Sequence, residues 1–246
     1  MTQYLLSRWY LALLAIVFGL GIASCGTTEA PAGDVSNGVF VTTASPYGTS
    51  YAQWTAKWWQ WALQTKVHDG STPAKVAHPL LDSTGAFAAN GQDSTAQVFF
   101  LGGWYNGGGT FKRSVTVSAS KALFFPLINF NTDTTGNEPA QIAAAAIDFL
   151  DSQKFVLSAS VDGISIPNPS SYKFRSGAFS ATLPADNLYQ FSSLIYPAGT
   201  VISPIYSYGY WMMLAPLAAG THTLHFTGEC DSLGAKQDVT YTITAK

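Results

Sequence analysis

The stretch YAQWTAKWWQWALQ, Tyr51 to Gln64, holds four of the chain's 7 tryptophans. It contains no glycine or proline, and Thr49 or Ser50 can cap its start, so it predicts a helix from Tyr51 to Thr65. At about 100° per residue its four polar members fall on a stripe about 60° wide, whereas its apolar members spread over roughly 220°. A surface helix buries a stripe of little more than about 100°. This helix is therefore expected to be covered on more than one side, as a wedge between a sheet and another layer.

Three roles are possible for this segment: a platform for a ligand, a helix on a membrane surface, or a helix in the protein interior. The arrangement of the rings around the helix distinguishes between them. The rings wrap too far around the helix to form one flat platform. A helix that lies on a membrane needs a broad charged face, whereas Lys57 is the one charged residue between Tyr51 and Gln64. The pattern therefore favours the protein interior.

Segments of β type follow the helix along the sequence. They combine alternating or continuous apolar residues with turn-forming glycine, proline and asparagine, which indicates many short strands. Asp162-Gly163, between alternating apolar residues, is a strong hairpin signal. A second helix is predicted in NEPAQIAAAAIDFLDSQ, residues 137–153. The chain is therefore predicted to be mainly β: an antiparallel β-sandwich, of jelly-roll or immunoglobulin-like type, with two packed α-helices.

Residues 1–24 have the pattern of a secretory signal peptide, with Arg8 ahead of the uncharged stretch WYLALLAIVFGLGI and small residues at its end. A membrane span, which needs about 20 apolar residues, is the alternative. IASC, Ile22 to Cys25, resembles a bacterial lipobox. The resemblance implies diacylglycerol on the Cys25 sulfur, cleavage before Cys25, and acylation of the new amino terminus, for example by palmitate.

An exported lipoprotein, anchored in a membrane by its acyl chains, is what this resemblance implies. Gly26 stands where an aspartate would resemble an inner-membrane retention signal, so the outer membrane, at its periplasmic or surface face, is expected if the host has two membranes. Residues 25–38 are predicted to be a lipid-anchored flexible tether, and residues 39–246 a single β-sandwich-like domain. With Cys25 acylated, Cys230 has no partner for an intrachain disulfide, and a buried position is expected for it.

The composition limits the kinds of partner. Charged residues make up 11% of the chain, against about 25% in ordinary soluble proteins. The net charge is −2 and there is no basic block, so no nucleic-acid partner is expected. The expected partners are a membrane, through the lipid anchor, and a glycan or another envelope protein.

Several phrases of the sequence together resemble an uncharacterised family of bacterial secreted proteins and lipoproteins. In sequence order they are WWQWAL, HPLLDSTG, KALFFPLIN, VDG, GYWMMLAPLAAGTHTLHFTGE and DVTYTIT. The family has no assigned activity, so the resemblance implies no catalytic residues. In relatives we expect cysteines near Phe87 and Ser114, a pair that would form a disulfide. This protein lacks both, which argues against a redox role common to the family.

Two groups of aromatic residues are candidates for ligand stacking. Trp104 and Tyr105 lie in GGWYNGGGT, a glycine-rich turn that lacks the ending of a phosphate-binding loop. The second group is Tyr206, Tyr208 and Tyr210. Sugar-binding proteins place aromatic faces beside polar groups, so both groups are candidate glycan contacts. Aromatic residues at the rim of a sandwich are the alternative.

A partial calcium-loop pattern occurs in NFNTDTTGNE. Asn129, Asn131 and Asp133 have the 1-3-5 spacing of oxygen ligands. The glycine of the pattern falls at position eight instead of six, and position twelve is alanine, so Glu138 would have to contribute from elsewhere. The alternative is an Asx-rich turn that leads into a helix. No cofactor is expected from the sequence, and calcium at these four residues is the one candidate.

The histidines give no clear catalytic set. His222 and His225 are three apart on a predicted strand, so they point to opposite faces, and His222 is expected to be a core histidine. His78 and Asp82 could act as a base and its orienting carboxylate, but there is no G-x-S-x-G nucleophile motif. The alternative is that Asp82 caps the DSTG turn and His78 is a loop residue.

The sequence therefore predicts a lipid-anchored cell-envelope protein that acts as a non-catalytic binding or structural module. The alternative is a glycan-binding or glycan-active, hydrolase-like surface protein. Such an enzyme needs two carboxyl groups about 5 to 9.5 Å apart. Only Asp82, Asp133 and Glu138 are candidates for them, and no catalytic residue is assigned.

Overall fold

The computed structural model describes residues 34–105, 108–133, 147–192 and 196–246. The described part is mainly β, with one long helix, α1, at Tyr51–Gln64. The strands are β1 Val35–Ser36, β2 Val39–Phe40, β3 Val98–Phe100, β4 Gly109–Val117, β5 Ala122–Asp133, β6 Val156–Val161, β7 Ile164–Ser165, β8 Lys173–Arg175, β9 Phe179–Thr182, β10 Val201–Leu214, β11 Gly220–Cys230 and β12 Ala235–Ala245.

Two sheets are present in these ranges. In the seven-stranded sheet, β10 pairs with β5 along one edge and with β2, β8 and β9 along the other, while β1 extends β2 and β3 extends β5. The five-stranded sheet has the order β4-β12-β11-β6-β7. The arrangement is sandwich-like, as the alternating strands predicted.

The predicted purely antiparallel pairing is wrong for two pairs of strands. β3 runs parallel to β5, and β4 runs parallel to β12. Parallel neighbours need a crossover instead of a tight turn, and β4 and β12 lie far apart in the sequence. Alternation of apolar residues carries no information about such long-range pairing.

Helix α1 begins and ends close to the predicted bounds. Ser50, rather than Thr49, caps it: the backbone N–H of Gln53 donates to Ser50 Oγ at 3.4 Å, and the backbone N–H of Ser50 donates to Gln53 Oε1 at 3.0 Å. Gln53, Lys57 and Gln64 are exposed, whereas all four tryptophans are buried. The predicted internal wedge is therefore confirmed.

The seven-stranded sheet lies between α1 and the five-stranded sheet. Phe124 contacts Tyr51 and Trp54 of the helix, with centroids 6.1 and 6.3 Å apart. Its neighbour Phe125 contacts Phe226 of β11 at 5.0 Å. Adjacent residues of a strand point to opposite faces, so these two rings mark the two covered faces of the sheet.

A bulge at Leu127 reverses the faces of β5. Tyr210 pairs with Ile128 but Trp211 pairs with Pro126, which leaves Leu127 as an extra residue. Asn129 pairs with Gly209, and Gly209 shares a face with Trp211, which stacks on Phe124 at 5.3 Å. Beyond the bulge, Asn129 and then Asn131 therefore lie on the face that carries α1.

The predicted hairpin at Asp162-Gly163 is present. It joins β6 to β7, and both turn residues have positive φ, 51° and 79°, as a type I′ turn requires. Of the predicted second helix, residues 147–151 are helical, and residues 137–146 lie outside the described residues.

The amino-terminal predictions fall mostly outside the described residues, which begin at residue 34. Val35 and Ser36, placed in the tether by the sequence analysis, pair with Phe40 and Val39. The ordered fold thus includes residues before Val39. Across the described ranges, every helix is too short or too polar to cross a membrane.

Candidate ligand-binding cleft

Trp104 and Tyr105 line a cleft of about 280 Å³ between the two sheets, beside helix α1. The cleft brings these two predicted stacking residues together with Asn129 and Asn131, two of the predicted metal ligands. The other lining residues come from α1, from β5, from β12 and the turn before it, and from the loops that hold Leu80 and Gly103: Trp58, Trp59, Leu80, Gly103, Ile128, Phe130, Leu233, Gly234, Ala235, Lys236 and Gln237.

The cleft exists because β3 is short. β3 pairs with β5 only from Ala122 to Phe124, and the following Leu101 still donates its N–H to Phe124 O at 2.9 Å. The backbone then leaves the sheet towards Trp104. Among the described residues no strand pairs with this edge of β5 beyond Phe124, and residues 128–131 line the cleft.

The backbone groups of Asn129 and Asn131 point to this open edge. On the far side of β10, Trp211 N donates to Tyr172 O and Ser207 O accepts from Ser176 N. Odd-numbered residues of β10 in this region therefore bond away from β5, and even-numbered ones bond towards it. Their partners on β5 are the even-numbered residues 128 and 130. Residues 129 and 131 consequently direct N–H and C=O groups towards the cleft.

Two side-chain donors of the cleft have no hydrogen-bond partner among the described residues. They are Trp59 Nε1, in a side chain that is 5% exposed, and Asn129 Nδ2. The neighbouring Trp58 differs, because its Nε1 donates to Leu101 O at 3.0 Å. Buried polar groups are nearly always paired. These two donors are therefore the best candidates for ligand contacts.

Strand β12 closes one end of the cleft. Gln237 Nε2 donates to Pro126 O at 3.0 Å and also to Leu127 O. A Cβ on Gly103 would lie 2.1 Å from Gln237 Oε1, so only glycine allows this approach. Lys236 pairs with Glu229 at 3.2 Å and is exposed. At this end of the cleft the side-chain amide of Gln237 is thus bonded to the protein's own carbonyl groups. A ligand would bind towards the other end, at residues 129–131.

The aromatic wall of the cleft is only partly covered. Trp104 stacks on Phe111 with centroids 4.3 Å apart and planes at 12°. Both Trp104 and Tyr105 are half-buried. Since Phe111 covers one face of the Trp104 indole, the remaining face is the one that a ligand can use.

The second predicted stacking group is wrong for two of its three residues. Tyr208 and Tyr210 are buried: the Tyr208 hydroxyl donates to Asp151 Oδ1 at 2.9 Å, and the Tyr210 ring packs on Phe155 with centroids 5.2 Å apart. Burial also raises the pKa of Tyr208 well above its ordinary value. Tyr206 is half-buried and does not line the cleft. Alternation alone could not show that residues 147–155 cover this face.

The described residues of the predicted calcium site form a strand and not a loop. Asn129, Asn131 and Asp133 belong to strand β5 and pair with Gly209, Ser207 and Ile205. Residues of a strand do not wrap around one ion as the residues of a loop do. Glu138 lies outside the described residues, and within them no group of three His, Cys, Asp or Glu side chains is placed to hold a metal.

His78 and Asp82 do not bond to each other. His78 is fully buried, its Nε2 donates to Ala62 O at 2.9 Å, and its Nδ1 accepts from the N–H of Leu80 at 3.1 Å. Burial lowers the pKa of His78 to about 4. Asp82 accepts from the N–H groups of Thr84 and Phe87, both at 2.8 Å. The turn-capping alternative for Asp82 is confirmed, and His78 is a structural residue of the interior.

His222 and His225 bond to different carboxylates, as opposite faces require. His222 lies 2.7 Å from Asp162, and His225 lies 2.9 Å from Asp238. The prediction of a core position for His222 is wrong, because its side chain is 18% exposed at the end of the strand. Cys230 is buried and free, as predicted, while Cys25 lies outside the described residues.

Arg113 is a buried residue that sequence reasoning missed. It is 2% exposed, and its Nη1 donates to Gly102 O at 2.7 Å and to Tyr241 Oη at 2.8 Å. Its Nε and Nη2 have no partner among the described residues. Its position in KRSVTV, which reads as an ordinary alternating strand, gives no signal of burial. These contacts fix the start of the segment that carries Trp104.

Comparisons with known proteins give no identification. No protein-family model matches the sequence, and no curated protein is significantly similar to it. One solved protein, from the structure of PbICP-C in complex with falcipain-2, aligns with 61% of this chain and all of its own length, at 8% identity and a TM-score of 0.24. A likeness this low supports no conclusion about fold or function.

Proposed function

We propose that the protein is a lipid-anchored, non-catalytic binding protein of the bacterial cell envelope, and that the cleft beside β5 is its binding site. The observation that carries the proposal is the buried, unpartnered Nε1–H of Trp59, a residue that lines the cleft together with the half-buried Trp104. Ligand sites combine apolar walls with a few polar groups that fix the orientation of the ligand. The cleft has both.

The lining chemistry supports binding over catalysis. Tyr105 and Lys236 are the ionisable side chains among the described lining residues, and Lys236 already pairs with Glu229. A glycoside hydrolase needs two carboxyl groups across its cleft. Asp82, one of the candidates, is committed to a turn and is not a lining residue.

The lipobox-like IASC supports the anchor. Acylation at Cys25 would hold the domain at a membrane surface through residues 26–34, and the outer membrane is our proposal for a host with two membranes. Cys25→Ala is expected to abolish incorporation of labelled acyl groups and to release the protein from the membrane fraction. Unchanged labelling would contradict the anchor but would leave the cleft proposal standing.

A glycan is the ligand that the cleft favours. Trp104 offers one ring face to a sugar, and neutral amide groups lie beside it. Aromatic faces with adjacent hydrogen-bonding groups suit the mixed polar and apolar surface of a sugar ring. The weak charge of the lining residues agrees with a neutral ligand.

A glycan-array screen of the full-length protein, purified from envelopes in detergent, tests the proposal. Trp104→Ala should remove binding, because it deletes the open ring face. Tyr206→Ala is the matched control: it deletes a half-buried aromatic ring outside the cleft and should leave binding unchanged. Binding that survives Trp104→Ala, or that only Tyr206→Ala removes, would place the site elsewhere.

A further inference from the structure

We propose that the cleft recognises an acetamido group, so that its ligand class is a glycan built from N-acetylated hexosamines. This inference rests on the proposed binding function and adds the feature that the ligand must carry. It is argued from Trp59, Asn129 and the open edge of β5.

The unpartnered side-chain groups of the cleft are both donors. Trp59 Nε1–H can only donate, and the unpaired atom of Asn129 is its NH₂ group. A carbonyl oxygen has two lone pairs and no hydrogen of its own, so it satisfies such donors without creating a new unpaired donor. A hydroxyl oxygen can also accept, but it brings a hydrogen that itself requires an acceptor. A carbonyl oxygen is therefore the group that fits these donors best.

The edge of β5 supplies an acceptor for the N–H group of the acetamido substituent. Residues 129 and 131 direct backbone carbonyl and N–H groups towards the cleft, as the pairing of β10 with β5 and β8 establishes. An acetamido N–H can donate to such a carbonyl in the way the N–H of an added strand would. A secondary amide thus finds both an acceptor and donors in one place.

The apolar part of the cleft fits the remainder of the ligand. Its volume of about 280 Å³ is just below the range of about 300–1,000 Å³ for small-molecule pockets. A single sugar ring with its substituent is the matching size. The methyl of an acetamido group and the ring face can then lie against Trp59 and Trp104.

An extended peptide carries the same amide chemistry, but the edge is too short for strand addition. Gln237 occupies the carbonyls of Pro126 and Leu127 at one end. The lining part of the edge, residues 128–131, spans about 13 Å at 3.3 Å per residue. This length suits one amide group beside a ring more than a paired strand.

Both donor nitrogens are covered from solvent. A ligand oxygen that bonds to them must therefore displace neighbouring side chains of the cleft. Rotamer changes of this kind are common on binding, whereas the backbone moves little.

Calorimetric titration of the full-length protein with tri-N-acetylchitotriose and with cellotriose tests the inference, because the two sugars differ in having acetamido or hydroxyl groups at C2. The acetylated sugar should bind at least about tenfold more tightly. Trp59→Phe should weaken binding of the acetylated sugar about tenfold and so narrow the difference in affinity between the two sugars. Asn129→Asp replaces the donor with an acceptor, so it should also weaken binding of the acetylated sugar. Tyr206→Phe is the control outside the cleft, and urea unfolding of each variant confirms that it is folded.

Each other outcome has a defined meaning. Equal affinity for the two sugars, or no effect of Trp59→Phe on a folded protein, overturns the acetamido inference while the binding function stands. If a blocked extended tripeptide binds more tightly than the acetylated sugar, the site is assigned to peptides. That result also overturns the acetamido inference. Failure to bind the two sugars and the peptide contradicts both the inference and the assignment of the cleft to glycans.

Discussion

Trp58 and Trp59 are in edge-to-face contact, with ring centroids 5.2 Å apart and planes at 85°, yet only the Nε1–H of Trp58 is bonded. The two side chains are neighbours in sequence, similar in burial and different in hydrogen bonding. Trp58 bonds to Leu101, the residue after β3, whereas Trp59 Nε1 is buried with no partner among the described residues. This difference is the basis for our proposal that the first ring stabilises the fold and the second binds a ligand.

The pair gives a direct stability prediction. Phenylalanine at either position removes a similar volume, but Trp58→Phe also leaves the buried Leu101 carbonyl without its donor. We expect the free energy of unfolding to fall by about 1–3 kcal/mol more in Trp58→Phe than in Trp59→Phe. Urea unfolding of both variants measures the difference, and equal losses would show that the Trp58 bond contributes nothing.

The close contact of the sheets at Gly228 predicts a steric effect. A Cβ at this position would lie 2.2 Å from Leu127 O and 2.7 Å from Ile128 Cβ. Gly228→Ala should therefore separate the sheets locally and destabilise the protein by about 1–3 kcal/mol. Gly177→Ala is the control, since nothing lies within 4 Å of its Cβ position. Similar thermal unfolding of the two variants would contradict the packing described at the bulge.

His78 predicts a loss of stability in acid. Burial lowers its pKa from 6.5 to about 4, so the unfolded protein binds a proton between these values and the folded protein does not. The free energy of unfolding should therefore fall as the pH falls from 6.5, by roughly 3 kcal/mol once both pKa values are passed. His78→Gln removes this titration and should flatten the profile of stability against pH. If stability depends on pH as steeply in the variant as in the wild type, groups other than His78 cause the dependence.

His222 predicts the opposite dependence to His78, and its partner Asp162 predicts a loss of stability in acid. Hydrogen bonds to Asp162 and to Ala218 O raise the pKa of His222, and the same pair lowers the pKa of Asp162. The contribution of His222 to stability is present below its unfolded pKa and is lost as the pH rises through its raised folded pKa. The contribution of Asp162 is present above its unfolded pKa and is lost as the pH falls through its lowered folded pKa.

An NMR titration of the His222 ring signals tests this pair. Asp162→Asn keeps a residue that tolerates positive φ in the turn and removes the carboxylate. The pKa of His222 should fall towards its ordinary value in this variant. An unchanged pKa would show that the ion pair does not form in solution.

Local features of the fold were predictable from the sequence. The absence of glycine and proline between Tyr51 and Gln64 indicated the helix, and the narrow polar stripe indicated its burial on several sides. Asp162-Gly163 indicated a hairpin because both residues tolerate positive φ. Each of these depends on residues close together in the sequence.

Features that depend on long-range pairing were not predictable. No local pattern encodes the parallel pairing of β4 with β12, or the early end of β3 that leaves the edge of β5 open. The bulge at Leu127 moves Asn129 to the α1 face, so counting alternate positions from Phe124 places it wrongly. Trp104 was a candidate for ligand stacking and Asn129 a candidate metal ligand, and only the fold brings them into one site.

The central claim is that Trp59 Nε1–H is a ligand-binding donor, and the indole N–H signals of ¹⁵N-tryptophan-labelled protein test it most directly. Trp58→Phe and Trp59→Phe assign the two signals. On titration with tri-N-acetylchitotriose, the Trp59 signal should move downfield and saturate at the dissociation constant measured by calorimetry, while the Trp58 signal stays in place. A bound sugar that leaves the Trp59 signal unmoved would contradict the account.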